Sequence, residues 1–235
     1  FIDYIFGEIN LDSVNLHKIA VTGGKSSNLS GTYKDVPIFN INEVDAIGHG
    51  AIALYDISDE SFVAVSTGTG TACIHHSNGK FNHLGGISVG GGTLQGLSQY
   101  LISTENAKNI EEFAKKGDRK GLDFLIGDVV NEIGSLNPEI TASNFGKAKN
   151  NKNISKEDTA ASLSNMVGEV IGTISYLNAL LCNENKVYFL GRTSLNKVIK
   201  SGIEDRLKLA NISGVFKENR EYGNVLGALR SIQSD

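Results

Sequence analysis

Residues 61–97 read SFVAVSTGTGTACIHHSNGKFNHLGGISVGGGTLQGL, and the punctuation of this stretch decides the fold. Ser61–Ser66, Ala72–His75 and Phe81–Leu84 are short apolar-rich runs, each the length of one strand. Between the last two, Ser77-Asn78-Gly79-Lys80 carries the Asn-Gly pair of a two-residue hairpin. Between the first two lies Ser66-Thr67-Gly68-Thr69-Gly70-Thr71, whose alternating glycines let backbone approach an anion while Thr hydroxyls donate to it. It is neither a dinucleotide fingerprint nor a Walker loop, because no Gly-Lys-Ser/Thr and no immediate helix follow. A tight hairpin whose glycines only serve the turn is the equal alternative for that segment alone. The stretch then closes on Gly85-Gly86-Ile87-Ser88-Val89-Gly90-Gly91-Gly92-Thr93, where three consecutive glycines open a helix that runs through Leu97 and Leu101. Bare N–H groups and the positive end of the helix dipole there form a place for an anion. Two such loops joined by one hairpin favour phosphate binding over simple turns.

Working outward, His17–Thr22 reads as a strand entering a Gly23-Gly24 turn. Val44, Ile47, Ala51, Leu54 and Tyr55 place a helix after Asn42, with Glu43 and Asp45 in its first turn. Both acids fit plain helix-start residues, and one of them fits a general base for a substrate hydroxyl. Phe1, Ile2, Ile5, Phe6 and Ile9 share one helical face. Residues 103–155 are polar and without a clear period. Ala160, Leu163, Val167, Val170, Ile174, Leu177 and Leu181 then mark a helix over 156–183, about 40 Å long at 1.5 Å per residue. Lys186–Leu190 is a buried-type strand, and Gly191-Arg192-Thr193 follows it as a ligand-facing strand end or as a plain exposed turn. A helix through Val198, Ile199, Ile203 and Leu207, a strand at Ser213–Lys217 and a helix at Asn224–Ile232 complete the chain. Strands alternating with helices define an α/β fold.

With 235 residues, 40% hydrophobic and 20% charged, the chain has the composition of one or two globular domains. A net charge of −4, from 26 acids and 22 bases without long runs, gives no basic face for nucleic acid. No window approaches the roughly 18 consecutive apolar residues of a spanning helix, so no membrane partner is expected. Cys73 and Cys182 are too few for a disulfide framework and indicate a reducing, cytoplasmic setting, packed as small hydrophobes. His75-His76 point to opposite faces of a strand, which argues for surface residues and against a metal site.

The ordered set Val21-Thr22-Gly23-Gly24, Asn42-Glu43-Val44-Asp45-Ala46, Thr67–Thr71 and Gly85–Leu97 resembles the type II, eukaryotic-like pantothenate kinases. Lys116-Gly117-Asp118-Arg119, Thr141-Ala142-Ser143-Asn144-Phe145-Gly146 and Val167-Gly168-Glu169-Val170 extend the resemblance over nearly the whole chain. The resemblance implies the two-lobed, ribonuclease H-like fold of the acetate kinase, sugar kinase, Hsp70 and actin superfamily. Residues 1–66 would be the later part of the N-terminal lobe and 67–235 the nucleotide-binding lobe. It implies ATP-dependent phosphorylation of pantothenate with Mg²⁺, the first step toward coenzyme A. Glu43 would be the catalytic base and Thr69 a phosphate contact. Gly91, Gly92, Thr93, Leu94 and Gln95 would form a second nucleotide-binding stretch, with Arg192 a further contact. A homodimer through the 156–183 helix is implied as well.

Two departures stand out. Where the family has an Arg for the pantothenate carboxylate, this chain has Asn82-His83-Leu84, so His83 becomes the expected carboxylate contact. The family opens with a strand, a glycine loop and another strand, and Phe1 falls within the helix after them, so an opening segment is expected to precede it. Two other readings remain: a sugar kinase-like relative, which would usually carry an Asp base and often a zinc cluster, and a nucleotide-binding protein without turnover. Dehydratase-activator ATPases hold an iron–sulfur cluster on cysteines, for which Cys73 and Cys182 are poorly placed.

Overall fold

The structure, a computed structural model, describes residues 2–8, 16–29, 31–58, 61–130, 137–151 and 153–233. In chain order the first elements are α1 (Ile2–Glu8), β1 (Ile19–Val21), β2 (Gly31–Tyr33), β3 (Val36–Asn40), α2 (Glu43–Tyr55), β4 (Phe62–Thr67), β5 (Thr71–Ser77), β6 (Lys80–Ile87) and α3 (Gly91–Ile102). There follow α4 (Ala107–Lys116), β7 (Phe124–Leu125), α5 (Ile126–Val129), β8 (Thr141–Ser143), α6 (Lys156–Leu181), β9 (Lys186–Leu190), α7 (Lys197–Leu209), β10 (Ser213–Val215) and α8 (Gly223–Ser231).

Five strands form the main sheet in the order β10-β9-β4-β5-β6. β4, β5 and β6 are an antiparallel meander, and β9 and β10 join β4 in parallel. That arrangement is the ribonuclease H-like one expected from the sequence. Asn78 and Gly79, at φ 51° and 71°, make the β5–β6 turn. Every residue of β4 is buried, as a central strand requires. Its alternation sorts the core into two layers. Val63 and Val65 join Leu163, Val167, Ile171, Ile199 and Ile203 from α6 and α7. Phe62 and Ala64 join Ile47, Ala51 and Leu54 of α2 on the other face.

A smaller sheet, in the order β1-β3-β2, precedes it. Its β2–β3 hairpin turns on Lys34 and Asp35 at φ 46° and 67°. The sequence offers no glycine there and places Pro37 inside β3, so this hairpin escaped notice. Pro37 is tolerated because β1 pairs only with Ile38–Asn40, leaving the proline where β3 has a single neighbour. The two sheets part between Asn40 and Phe62. The expected division at 66/67 falls just before the last residue of β4.

α6 begins at the expected residue, with the Ser155 hydroxyl accepting from the Asp158 N–H at 2.9 Å, and it ends at Leu181. Much of 103–155 docks on it through buried polar groups. The Asp123 carboxylate is fully buried and accepts from the Phe145 N–H at 2.9 Å and from the Ser162 hydroxyl. Arg206 of α7 pairs with Glu169 of α6 at 3.0 Å, and the Asn144 amide donates to the same carboxylate at 2.9 Å. Cys73 lies in the core, and burial pushes its thiol up to about 11. The histidine pair is not on the surface: both residues are half-buried on opposite faces, His75 bonded to Ser61 at 2.9 Å and His76 stacked on Phe62 at 5.0 Å. No helix among the described residues is long and apolar enough to cross a membrane.

α2 and α8 touch backbone to backbone. A Cβ at Gly227 would sit 1.8 Å from the Ala46 carbonyl oxygen, and one at Gly50 would sit 2.2 Å from that of Gly223. Gly227→Ala is therefore expected to cost about 3 kcal/mol in urea unfolding, from overpacking. Between α2 and the sheet, His49 meets Phe81 edge-on at 4.9 Å. Burial lowers its proton affinity below the ordinary imidazole value; Asp45 opposes that, while Arg230 and His76 add to it. The unfolded chain then binds this proton more readily, so stability falls as pH drops below about 6.5. Unfolding midpoints across that range should show the slope in the wild type and a shallower one in His49→Gln.

Candidate active site

The loops at the carboxyl ends of β4 and β9 interlock through one carbonyl. The Gly68 oxygen accepts from the Gly91 N–H at 2.9 Å and from the Thr193 hydroxyl at 2.8 Å. Beside it, the Thr69 oxygen accepts from the Gly92 N–H at 2.9 Å. The N–H groups of Gly91 and Gly92 are therefore not bare, contrary to the expectation for a glycine-opened helix. These glycines are small because the first loop lies on them. A Cβ at Gly90 would stand 2.7 Å from the Thr69 oxygen, and one at Gly91 would stand 2.7 Å from the Thr193 hydroxyl.

Beneath this contact, the buried Thr67 hydroxyl donates to the Leu190 oxygen at 3.0 Å and accepts from the Ser194 N–H at 3.1 Å. Gly191 turns the chain at φ +92°, where its backbone lies against Thr67 and its N–H donates to the Arg220 oxygen at 2.9 Å. The buried Arg220 guanidinium donates to the Ser194 hydroxyl and carbonyl, both at 2.9 Å, and to the Lys217 carbonyl at 2.9 Å. Thr193 lies in the Gly191-Arg192-Thr193 turn noted in the sequence, but Ser194 and Arg220 carry no such signal. A lone Arg in a polar turn carries no pattern, and its partner Ser194 lies 26 positions away.

The anticipated residues occupy distinct places on this frame. Thr69 is exposed on the lip, and a Cβ at the neighbouring Gly68 would meet open space. Thr93 turns its hydroxyl to the Ser88 carbonyl at 3.1 Å, and the Gln95 amide donates to the Glu105 carbonyl at 3.1 Å. The Leu94 side chain is buried in the α6-side core, so only its backbone can face a ligand. Arg192 is exposed and forms no ion pair with a described carboxylate. Glu43 is exposed in the first turn of α2, behind Asn42, whose side chain accepts from the Val44 N–H at 2.8 Å.

His83 is exposed on β6 and pairs with Ile74, with Leu84 left over as a bulge. Ile74 belongs to the α2-side core, so His83 shares that face with the helix carrying Glu43. The structure thus gathers Thr69, the 91–95 stretch and Arg192 on the loop cluster, and places Glu43 and His83 on the α2 side. An exposed carboxylate at a helix start can take a proton, and the open lip at Gly68–Thr69 admits an anion. Among the described residues, no group of three His, Cys, Asp or Glu could hold a metal.

At the opposite end of the sheet, an open hollow of about 350 Å³ is lined by Ser61, Phe62, Glu184, Asn185, Lys186 and Tyr188. Its Ser61–His75–Glu184 cluster is no nucleophilic triad, since the Ser61 hydroxyl donates to Glu184 rather than to the imidazole.

The Fumble family model matches residues 55–201. A type II pantothenate kinase from Bacillus cereus is 32% identical over 224 residues, covering 92% of this chain and 80% of that protein. That of Oceanobacillus iheyensis is 28% identical, covering 90% and 80%. Among solved structures, the activator of the 2-hydroxyisocaproyl-CoA dehydratase from Clostridium difficile, with ADPNP bound, superposes with a TM-score of 0.64 at 15% identity, covering 100% of this chain and 82% of that one. A ROK hexokinase from Thermus thermophilus does so with a TM-score of 0.59 at 12% identity, covering 99% and 84%. The sheet order and these superpositions define the two-lobed fold of the acetate kinase, sugar kinase, Hsp70 and actin class. Within that class, the chain belongs to the type II pantothenate kinase family.

Because Gly91 is confined by Thr193, their substitutions should not be additive. Gly91→Ala is expected to cost about 1–3 kcal/mol from overpacking. In the Gly91→Ala/Thr193→Ala double variant, denaturant unfolding should give a smaller loss than the sum of the singles.

Proposed function

We propose that the chain transfers the γ-phosphoryl group of ATP to the primary hydroxyl of pantothenate, giving 4′-phosphopantothenate, the first step toward coenzyme A. The observation that carries this reading is the family relationship along 92% of the chain. In this reaction the Glu43 carboxylate accepts the hydroxyl proton as the oxygen attacks phosphorus; the bond from phosphorus to the bridging oxygen breaks, and ADP leaves with that electron pair. The α2 start holds Glu43 outward, free of competing donors among the described residues.

The nucleotide would lie along the Gly68–Thr69 lip, which is open where a Cβ would stand at Gly68. The Thr69 hydroxyl and the exposed Arg192 would contact its phosphates. Gly91, Gly92, Thr93, Leu94 and Gln95 would serve that stretch chiefly as the bed on which the lip is held, since the Gly91 and Gly92 N–H groups are already engaged. Mg²⁺, which commonly arrives with the nucleotide and keeps one or two carboxylates, supplies charge neutralisation when bound. His83 would take the pantothenate carboxylate.

The two sheets would correspond to the two lobes, with substrate between them. A cytoplasmic homodimer completes the reading. Residues 159–165 of α6 are buried within the chain itself, whereas Leu177, Leu180 and Leu181 near its end are exposed. A second copy would therefore meet the last turns of the helix rather than its whole length.

A coupled ADP-release assay with pantothenate tests the activity. Glu43→Gln should lower turnover by roughly two to four orders of magnitude while ATP affinity persists. Retention of more than about a tenth of wild-type turnover would move the base to Asp45.

A further inference from the structure

The turn leaving β1 takes no part in the steps above. It reads Thr22-Gly23-Gly24-Lys25-Ser26 and lies at the carboxyl end of the parallel β1–β3 pair, the end at which α/β sheets bind ligands. Val21 pairs with Asn40, and the Ile41 N–H donates to the Val21 oxygen at 2.8 Å. Thr22 and Gly23 therefore run beside Ile41 and Asn42, the two residues that lead into Glu43.

Three observations at this turn have no explanation among the described residues. The Thr22 hydroxyl oxygen is buried and has no hydrogen-bond partner among the described residues, a costly state for a polar atom. Gly24 is not in the left-handed region, and a Cβ there would meet nothing within 4 Å. Nothing in the packing asks for a glycine, unlike Gly90 and Gly91. Lys25 is exposed, and its ammonium group makes neither ion pair nor hydrogen bond with any described residue. Gly23 has its own reason, at φ +95°, and its carbonyl accepts from the Ser26 N–H at 3.1 Å to close the turn.

A donor hydroxyl, a free ammonium and a bare stretch of backbone beside the proton acceptor together suit a phosphate group. We infer that the 22–26 turn binds the phosphomonoester on the acceptor side: the phosphate of the product, and the same group as it arrives. The ATP polyphosphate, by contrast, belongs to the Gly68–Thr69 lip, on a different part of the chain. This inference rests on the kinase reading above.

Calorimetric titration of pantothenate and of 4′-phosphopantothenate, into wild-type protein and into Lys25→Met and Thr22→Val, tests it. Affinity for the phosphomonoester should fall about tenfold in each variant, the size of a charge-assisted hydrogen bond. Pantothenate affinity should stay the same, and Lys25→Arg should keep most of the phosphomonoester affinity. Lys25 is exposed, so Lys25→Met carries the test even if Thr22→Val unfolds. Equal losses for both ligands, or no loss for either, would overturn the inference while leaving the kinase reading intact. Wild-type protein that bound neither ligand would overturn the kinase reading, and this inference with it.

Discussion

The carbonyl of Gly68 holds the loop cluster together. It receives an N–H from the start of α3 and a hydroxyl from the turn after β9, so three chain segments meet on one oxygen. The contact exists only because both sides lack bulk: Gly68 offers open backbone, and Gly90, Gly91 and Gly92 let a second backbone lie on it. Arg220 supports the arrangement from below, its guanidinium satisfied by Ser194 and Lys217 so that its burial leaves no orphaned charge. The glycines at 90–92 are there for backbone contact, and that contact raises Gly68 and Thr69 as an open lip.

β4 makes that junction rigid. It is buried on both faces, with α6 and α7 packed on one side and α2 and α8 on the other. Because its side chains alternate, one strand couples the helix that starts with Glu43 to the helices packed on its other face. α2 is pinned in turn by the close backbone contacts of Ala46 with Gly227 and of Gly50 with Gly223 of α8, and by the Phe81 ring, which lies where a Cβ on Gly48 would be. A side chain on such an element holds its direction better than one on a free loop.

The polar segment between α3 and α6 is ordered by a different means. Its α4 joins the apolar core through Ile110 and Ala114, and beyond α4 it docks on α6 through Asp123 with Ser162 and through Asn144 with Glu169 and Arg206. The motifs Lys116–Arg119, Thr141–Gly146 and Val167–Val170, which carried much of the family resemblance, converge here rather than at the glycine loops. Their shared role in this chain is to bind an irregular segment to the long helix.

Local chemistry was enough to read much of this protein. The Asn78-Gly79 hairpin, the start of α6 at 156, the apolar run of β4 and the Glu43 helix start each depend on neighbours within a few residues, and each was legible as written. The β2–β3 hairpin was not, because Lys34 and Asp35 adopt left-handed backbone that is usually signalled by glycine. Nor were Arg220, the bond from Thr193 to Gly68, or the engagement of the Gly91 and Gly92 N–H groups. Thr193 and its acceptor on Gly68 are 125 positions apart, and a partner at that distance leaves no trace in local pattern. The sequence determined which backbone could come close and which side chains could donate. Only the tertiary structure decided which donor met which acceptor, because that choice is made where β4, α3 and the turn after β9 come together.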